Sequence, residues 1–202
     1  SRIIEDVFRN QFIPTKMVNG TGFYQREEIK DIVSYLRVLY NVKDSVALLR
    51  VMNKPTRGIG KATQGKLETF AKDNDVSLFA ALQRVDNIDG ISKRSIMPIK
   101  NFFALMKSIK EDEHKFKTKS RFVEYVIQVT GLQKLYTGTT SELMEKEENL
   151  KEFVTLIAEF EATYPEKTLE DFIMEMSLSS SQVEESQEDA VKMMTIHASK
   201  GL

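Results

Sequence analysis

The sequence predicts a mainly α fold with a short β-strand near each end, and three observations carry that prediction. Apolar residues recur at three-to-four spacing through most of the 202 residues. Strand-like runs are confined to Pro14-Thr15-Lys16-Met17-Val18 and to Ala190-Val191-Lys192-Met193-Met194-Thr195-Ile196. Between them, glycines, prolines and capping residues divide the chain into separate helical runs rather than into strands. Ser1 to Gln11, with Ile3, Ile4, Val7 and Phe8, forms an amphipathic helix that starts without a cap, as though the chain begins inside it. After the first strand comes the turn Asn19-Gly20-Thr21-Gly22, and Phe23-Tyr24 opens a long helix. Its core stripe is Ile29, Ile32, Val33, Leu36 and Leu39, and Asn41 ends it. Phe23-Tyr24 has two readings, a stack on a nucleobase or an entry-point staple to the core.

The next stretch organises the rest. Asp44 caps a helix through Leu48, Leu49 and Met52, which Asn53 and Pro55 stop. Leu67, Phe70 and Ala71 mark a second helix. Between them, Gly58 and Gly60 bracket Ile59, and both glycines can take backbone angles closed to other residues and leave peptide N–H groups unshielded by side chains. Two short helices, a Gly-Ile-Gly turn and an apolar anchor describe a helix-hairpin-helix whose peptide N–H groups hold a nucleic-acid phosphate. From Ser45 to Leu67 the chain carries Arg50, Lys54, Arg57, Lys61 and Lys66 and no acid, which suits a phosphate backbone. The plainer alternative is a helix stop with lysines on a solvated face. Gly60-Lys61 is not the end of a nucleotide-binding loop, because Ala62 replaces the required Ser/Thr and Pro55 the first glycine.

Downstream, Ser77 caps a short helix from Leu78 to Gln83. A longer one starts at Gly90-Ile91-Ser92-Lys93-Arg94 and runs through Ile96, Ile99, Phe102, Phe103, Met106 and Ile109. Its cations, Lys93, Arg94, Lys100, Lys107 and Lys110, either line the same duplex or form a solvated face. The far end is the less suited to DNA, lying on the order of 20 Å from the helix start. Lys115 to Lys119 reads as a polar connector, and Phe122 to Val129 as a helix ended by Gly131. Thr140/Ser141 opens an acidic helix, Glu142 to Tyr164, with Leu143, Leu150, Phe153, Ile157 and Phe160 inward and Pro165 as its stop. Thr168 caps Leu169 to Met176, and Ser177 to Asp189 has the composition of a flexible loop.

Composition bounds the function. At 41% hydrophobic and 29% charged, the chain can bury a core and is an ordinary soluble protein. Zero cysteines exclude disulfides and thiolate zinc sites, and fit a cytoplasmic location. There is no apolar run of about 18 residues and no signal-peptide pattern at the start. His114 and His197 are far apart in sequence, so no metal site is expected. The net charge of −1 conceals an asymmetry: residues 1–140 hold 24 Lys and Arg against 15 Asp and Glu, and residues 141–202 hold 5 against 15. A basic body with an acidic arm suggests one face for nucleic acid and another for solvent or a protein. No nucleotide-binding loop, acidic magnesium motif or nucleophile–base pair stands out, so no catalytic residue is assigned.

Four stretches then resemble, in order, signatures of the UvrD/PcrA/Rep group of superfamily 1 DNA helicases. They are Gly22-Phe23-Tyr24-Gln25-Arg26-Glu27-Glu28-Ile29-Lys30-Asp31, Asn53-Lys54-Pro55-Thr56-Arg57-Gly58-Ile59-Gly60, Glu148-Asn149-Leu150-Lys151-Glu152-Phe153 and Thr195-Ile196-His197-Ala198-Ser199-Lys200-Gly201-Leu202. The last resembles motif V, whose family pattern continues with a glutamate. The resemblance implies a helical insertion, subdomain 2B, over residues 22–189, flanked by pieces of the RecA-like 2A domain at residues 1–21 and 190–202. It implies duplex contact by Arg57, Gly58, Gly60, Lys61 and Thr63, with Ile59 as packing anchor. It also implies coupling of single strand to nucleotide through Thr195, His197, Lys200 and Gly201.

ATP and Mg2+ would belong to the parent 3′-to-5′ helicase of DNA repair or replication, and no cofactor or ATPase activity to this stretch. The expected partners are DNA, the remaining helicase domains and a regulatory protein, with no membrane. Two other readings stay open: an autoinhibitory or partner-docking module acting through the acidic helix, and the corresponding region of an AddA/RecB-like nuclease-helicase.

Overall fold

The computed structural model describes residues 15–17, 22–176 and 191–193. Its axis is helix α1, Glu27–Tyr40, which packs against five other helices. Around it run α2 (Ser45–Val51), α3 (Lys61–Asp73), α4 (Leu78–Gln83), α5 (Lys93–Asp112), α6 (Lys119–Val129), α7 (Leu132–Tyr136), α8 (Ser141–Thr163) and α9 (169–176). The mainly α expectation holds. The two short strands, β1 (Thr15–Met17) and β2 (Val191–Met193), pair in parallel with Thr15 opposite Val191. In chain order, the whole helical body therefore lies between two neighbouring strands. The predicted helix over 1–11, the glycine turn at 19–21 and the serine-rich acidic loop fall outside the described residues.

Helix α1 departs from a simple amphipathic stripe. Ile29, Ile32, Tyr35 and Leu36 are fully buried, but so are Asp31 and, nearly, Glu28. A helix surrounded on most sides must bury its polar positions too, and those must then find partners. It also begins later than the aromatic pair suggested: Phe23–Gln25 is a single 3₁₀ turn and Arg26 is extended. Phe23 is 3% exposed and meets Tyr24 edge-to-face at 5.2 Å, so it belongs to the core.

The caps at Asp44, Ser77, Thr118 and Thr140 each accept a backbone N–H of the following first turn. Gly131 takes φ +84 between α6 and α7, a left-handed angle that favours glycine. Helix α7 is absent from the sequence reading, being too short for a periodic signal. The polar connector is more ordered than expected: a 3₁₀ turn, Glu113–Lys115, leads to Phe116, which packs on Phe122 and Tyr125 at 5.7 and 4.8 Å. In α8, Leu143 is only half-buried, and Asn149 takes a place among the buried residues. Phe172 of α9 closes on Phe153 and Phe160 at 6.2 and 5.0 Å, fixing α9 to α8.

Candidate nucleic-acid interface

The 53–60 turn between α2 and α3 is shaped by one side chain. Asn53 Oδ1 accepts the N–H groups of Arg57 at 2.8 Å and of Ile59 at 3.0 Å. This carries the backbone through Gly58, whose φ of +82 requires glycine, and drops Ile59 into the core with no exposed surface. Gly60 then caps α3 at φ −74, an ordinary angle, so of the two glycines only Gly58 uses the freedom that both have. A Cβ built on Gly60 meets nothing within 4 Å, whereas one on Gly58 comes to 4.0 Å from Pro98 of α5. Neither backbone angle nor internal packing therefore demands glycine at position 60.

The carbonyl of Gly60 accepts the N–H groups of Thr63 and Gln64 at 2.9 and 3.0 Å, closing the first turn of α3. The N–H groups of Gly60, Lys61 and Ala62 have no acceptor among the described residues, and all three residues are exposed. They form the positive end of a 13-residue helix, where an anion is stabilised by both hydrogen bonds and dipole. Thr63 is half-buried beside them.

The five cations of this stretch do not act alike. Arg50 donates to buried Asp31 from Nε and pairs with it from its terminal nitrogen, both at 2.7 Å. Lys54 pairs with Asp31 at 2.8 Å and with Glu27, whose carboxyl is held below its ordinary range mainly by that Lys54 hydrogen bond. Arg57 turns inward to the carbonyls of Val51, Pro55 and Thr130. Lys66 donates to the carbonyl of Gly90. Only Lys61 of the five is without a side-chain partner among the described residues.

Helix α5 supplies the rest of the positive surface. Ser95, 3% exposed, donates from Oγ to the Gly58 carbonyl at 3.4 Å, so the first turn of α5 sits directly beside the turn. Lys93 and Arg94 in that first turn are exposed and unpaired among the described residues. Further along, Lys100 pairs with Asp86 at 2.7 Å, and Lys110 pairs with Glu113 at 2.7 Å and lies 4.1 Å from the Tyr40 ring centroid. The near end of α5 thus joins the candidate interface, and the cations at 100 and 110 are neutralised.

Behind the turn lies a polar network that the sequence did not disclose. Asp31 also accepts the Tyr136 hydroxyl at 2.5 Å, and burial, then that carboxylate, pushes the Tyr136 phenol well up. Tyr35 donates to the Lys54 carbonyl at 2.5 Å, and burial pushes its phenol up to about 12. On the other side, Asn149 donates to Glu28 at 2.7 Å and accepts from Arg26, while Lys146 reaches Glu27 at 3.1 Å. Three of the four stretches quoted above therefore meet one another: the one around Glu28 and Asp31 bonds both to the turn and to α8. The signal available was a pair of acids inside an apolar helical stripe. The motif V residues Thr195, His197, Lys200 and Gly201 lie outside the described residues.

Two further observations bear on what the chain does. Among the described residues no helix is long and apolar enough to cross a membrane, and no group of three or more His, Asp or Glu could hold a metal ion. Comparison with known proteins gives a family. The sequence profile of the UvrD-like helicase C-terminal domain matches residues 1–202. The ATP-dependent DNA helicase PcrA of Staphylococcus epidermidis is 38% identical over 206 aligned residues, covering 100% of this chain and 28% of that protein. The protein of the same name from Staphylococcus aureus is 37% identical with the same coverage. The chain thus spans 28% of the length of these relatives. With its full length matched by that profile, the chain belongs to the UvrD-like helicase C-terminal domain family.

Proposed function

We propose that this chain is the accessory, duplex-binding part of an ATP-dependent 3′-to-5′ DNA helicase of the UvrD/PcrA type. Residues 22–189 are its 2B subdomain, and residues 1–21 and 190–202 belong to the 2A domain, the latter ending in motif V. On this reading α2, the 53–60 turn and α3 are a helix-hairpin-helix that grips a phosphate of the duplex. The observation that carries it is the exposed set of N–H groups at Gly60, Lys61 and Ala62, with a glycine at position 60 that nothing inside the protein requires. A backbone stripped of its side chain admits a phosphate oxygen to hydrogen-bond distance. Lys61, Lys93 and Arg94 supply the charge around it. Thr63 stands in the same first turn, and Gly58 shapes the approach.

ATP hydrolysis, with Mg2+, belongs to the rest of the longer protein, located in the cytoplasm, and the single-strand contact to Thr195, His197, Lys200 and Gly201. Asp31, the fully buried carboxylate of α1, is already held by Arg50, Lys54 and Tyr136. The docking alternative has less support, since several acids of α8 are already paired. Glu145 meets Arg26 at 3.3 Å, Glu142 meets Lys146 at 2.8 Å and Glu147 meets Lys151 at 3.1 Å.

The test is duplex DNA binding by the chain across a salt series. Each phosphate contact contributes about 0.9 to the slope of log affinity against log salt. Changing Lys61, Lys93 and Arg94 together to alanine is expected to lower that slope by roughly 2–3, and Lys107→Ala to leave it unchanged. Equal slopes in the wild type and the triple variant would remove the interface.

A further inference from the structure

Arg57 is among the residues that the helicase resemblance assigns to duplex contact, but its guanidinium is spent on the protein interior. One terminal nitrogen donates to the carbonyls of Val51 at 3.3 Å and Pro55 at 3.0 Å, the other to that of Thr130 at 2.8 Å. Val51 is the last residue of α2 and Thr130 the C-cap of α6. Both carbonyls lie at helix ends, where the dipole is negative, and that of Val51 also accepts the Lys54 N–H at 3.0 Å and the Tyr35 hydroxyl at 3.3 Å. The charged carbon sits 5.4 Å from the Phe102 ring centroid and 6.0 Å from that of Tyr35, so α5 and α1 enclose it.

One planar group thus joins the C-terminal ends of α2 and α6 while leaving the backbone N–H of Arg57 to Asn53. The fork geometry matters, because an ammonium is a point charge that cannot reach carbonyls of separate helices in one plane.

We infer that Arg57 is a positioning residue of the duplex contact rather than a member of it. Its guanidinium bolts the 53–60 turn to the α6–α7 junction, and it acts on DNA only through the N–H groups of Gly60, Lys61 and Ala62. This rests on the duplex reading above, and the experiment separates the two. Binding of a short blunt-ended DNA duplex is measured against salt for the wild type, Arg57→Gln, Arg57→Lys and Lys61→Ala, together with amide hydrogen exchange at Ile59.

Arg57→Gln and Arg57→Lys are both expected to weaken binding on the order of tenfold, through loss of the competent turn, with the salt slope unchanged. Ile59 exchange accelerates in both while the amides of α8 keep wild-type rates. Lys61→Ala does the reverse, lowering the slope by about 0.9 and leaving Ile59 exchange alone. The inference is overturned if Arg57→Gln lowers the slope by about 0.9 and Arg57→Lys restores wild-type binding. Should the wild type not bind the duplex, the duplex reading fails. Arg57 is then decided by Ile59 exchange alone: faster exchange in both variants supports the bolt, and unchanged exchange overturns it.

Discussion

Asp31→Ala is expected to destabilise the fold by about 3 kcal/mol, the lower end of what breaking a buried ion pair costs. The lower end applies because the partners are not sealed in: the side chains of Arg50 and Lys54 keep 35% and 27% of their exposure, so water takes over part of their solvation. Asp31 itself has none, and its loss also strands the Tyr136 hydroxyl in a buried position. In a chain of this size that corresponds to a fall in melting temperature of roughly 6–12 °C. Asp31→Asn, which keeps an acceptor, should cost less. Glu27→Ala is the control: its carboxylate is half exposed at 50%, and its removal should cost about 1 kcal/mol or less. Urea unfolding of the three variants decides the matter. Equal midpoints for Asp31→Ala and Glu27→Ala would mean that the buried network contributes nothing beyond surface pairing.

Ile59→Ala carries the second large effect, about 2–5 kcal/mol, because a fully buried side chain leaves both lost transfer energy and a cavity. Ile59→Val should cost about 0.5–1.5 kcal/mol, and the ordering of the two is part of the prediction. Ile59 has a second role that a remote core residue lacks. Its N–H is held by Asn53, and the next residue begins the N-terminal turn of α3. A loosened Ile59 therefore blurs the positions of the exposed N–H groups, and Ile59→Ala should weaken duplex binding even at temperatures where the protein is fully folded. Unfolding and binding measured on the same variant separate the two losses. Unimpaired binding in folded Ile59→Ala would show that the turn does not need its anchor.

The outline of the fold was legible because local chemistry dictates it. Asp44, Ser77 and Thr140 announce helix starts, and Asn41, Gly131 and Pro165 announce ends, each through a backbone preference that acts without tertiary help. What was not legible depends on long-range contact. Asp31 meets Tyr136, 105 residues away, and Asn149 meets Glu28, 121 away, and no periodicity encodes such pairs. Arg57 and Lys61 look alike in the sequence, but the carbonyls of Val51, Pro55 and Thr130 draw Arg57 inward. Asn53 was read as a helix stop, yet its side chain is also the template for the turn. Charge counting overestimated the free cations for the same reason: a run without acids can be neutralised by acids on another helix.

The most direct test of the central claim is to follow the backbone amides while a short DNA duplex is titrated into the chain. The N–H groups of Gly60, Lys61 and Ala62 should show the largest shifts, with Lys93 and Arg94 next, while the exposed residues of α8 stay fixed. Shifts concentrated on α8, with Gly60, Lys61 and Ala62 unmoved, would contradict the account and place the binding surface on the acidic helix instead.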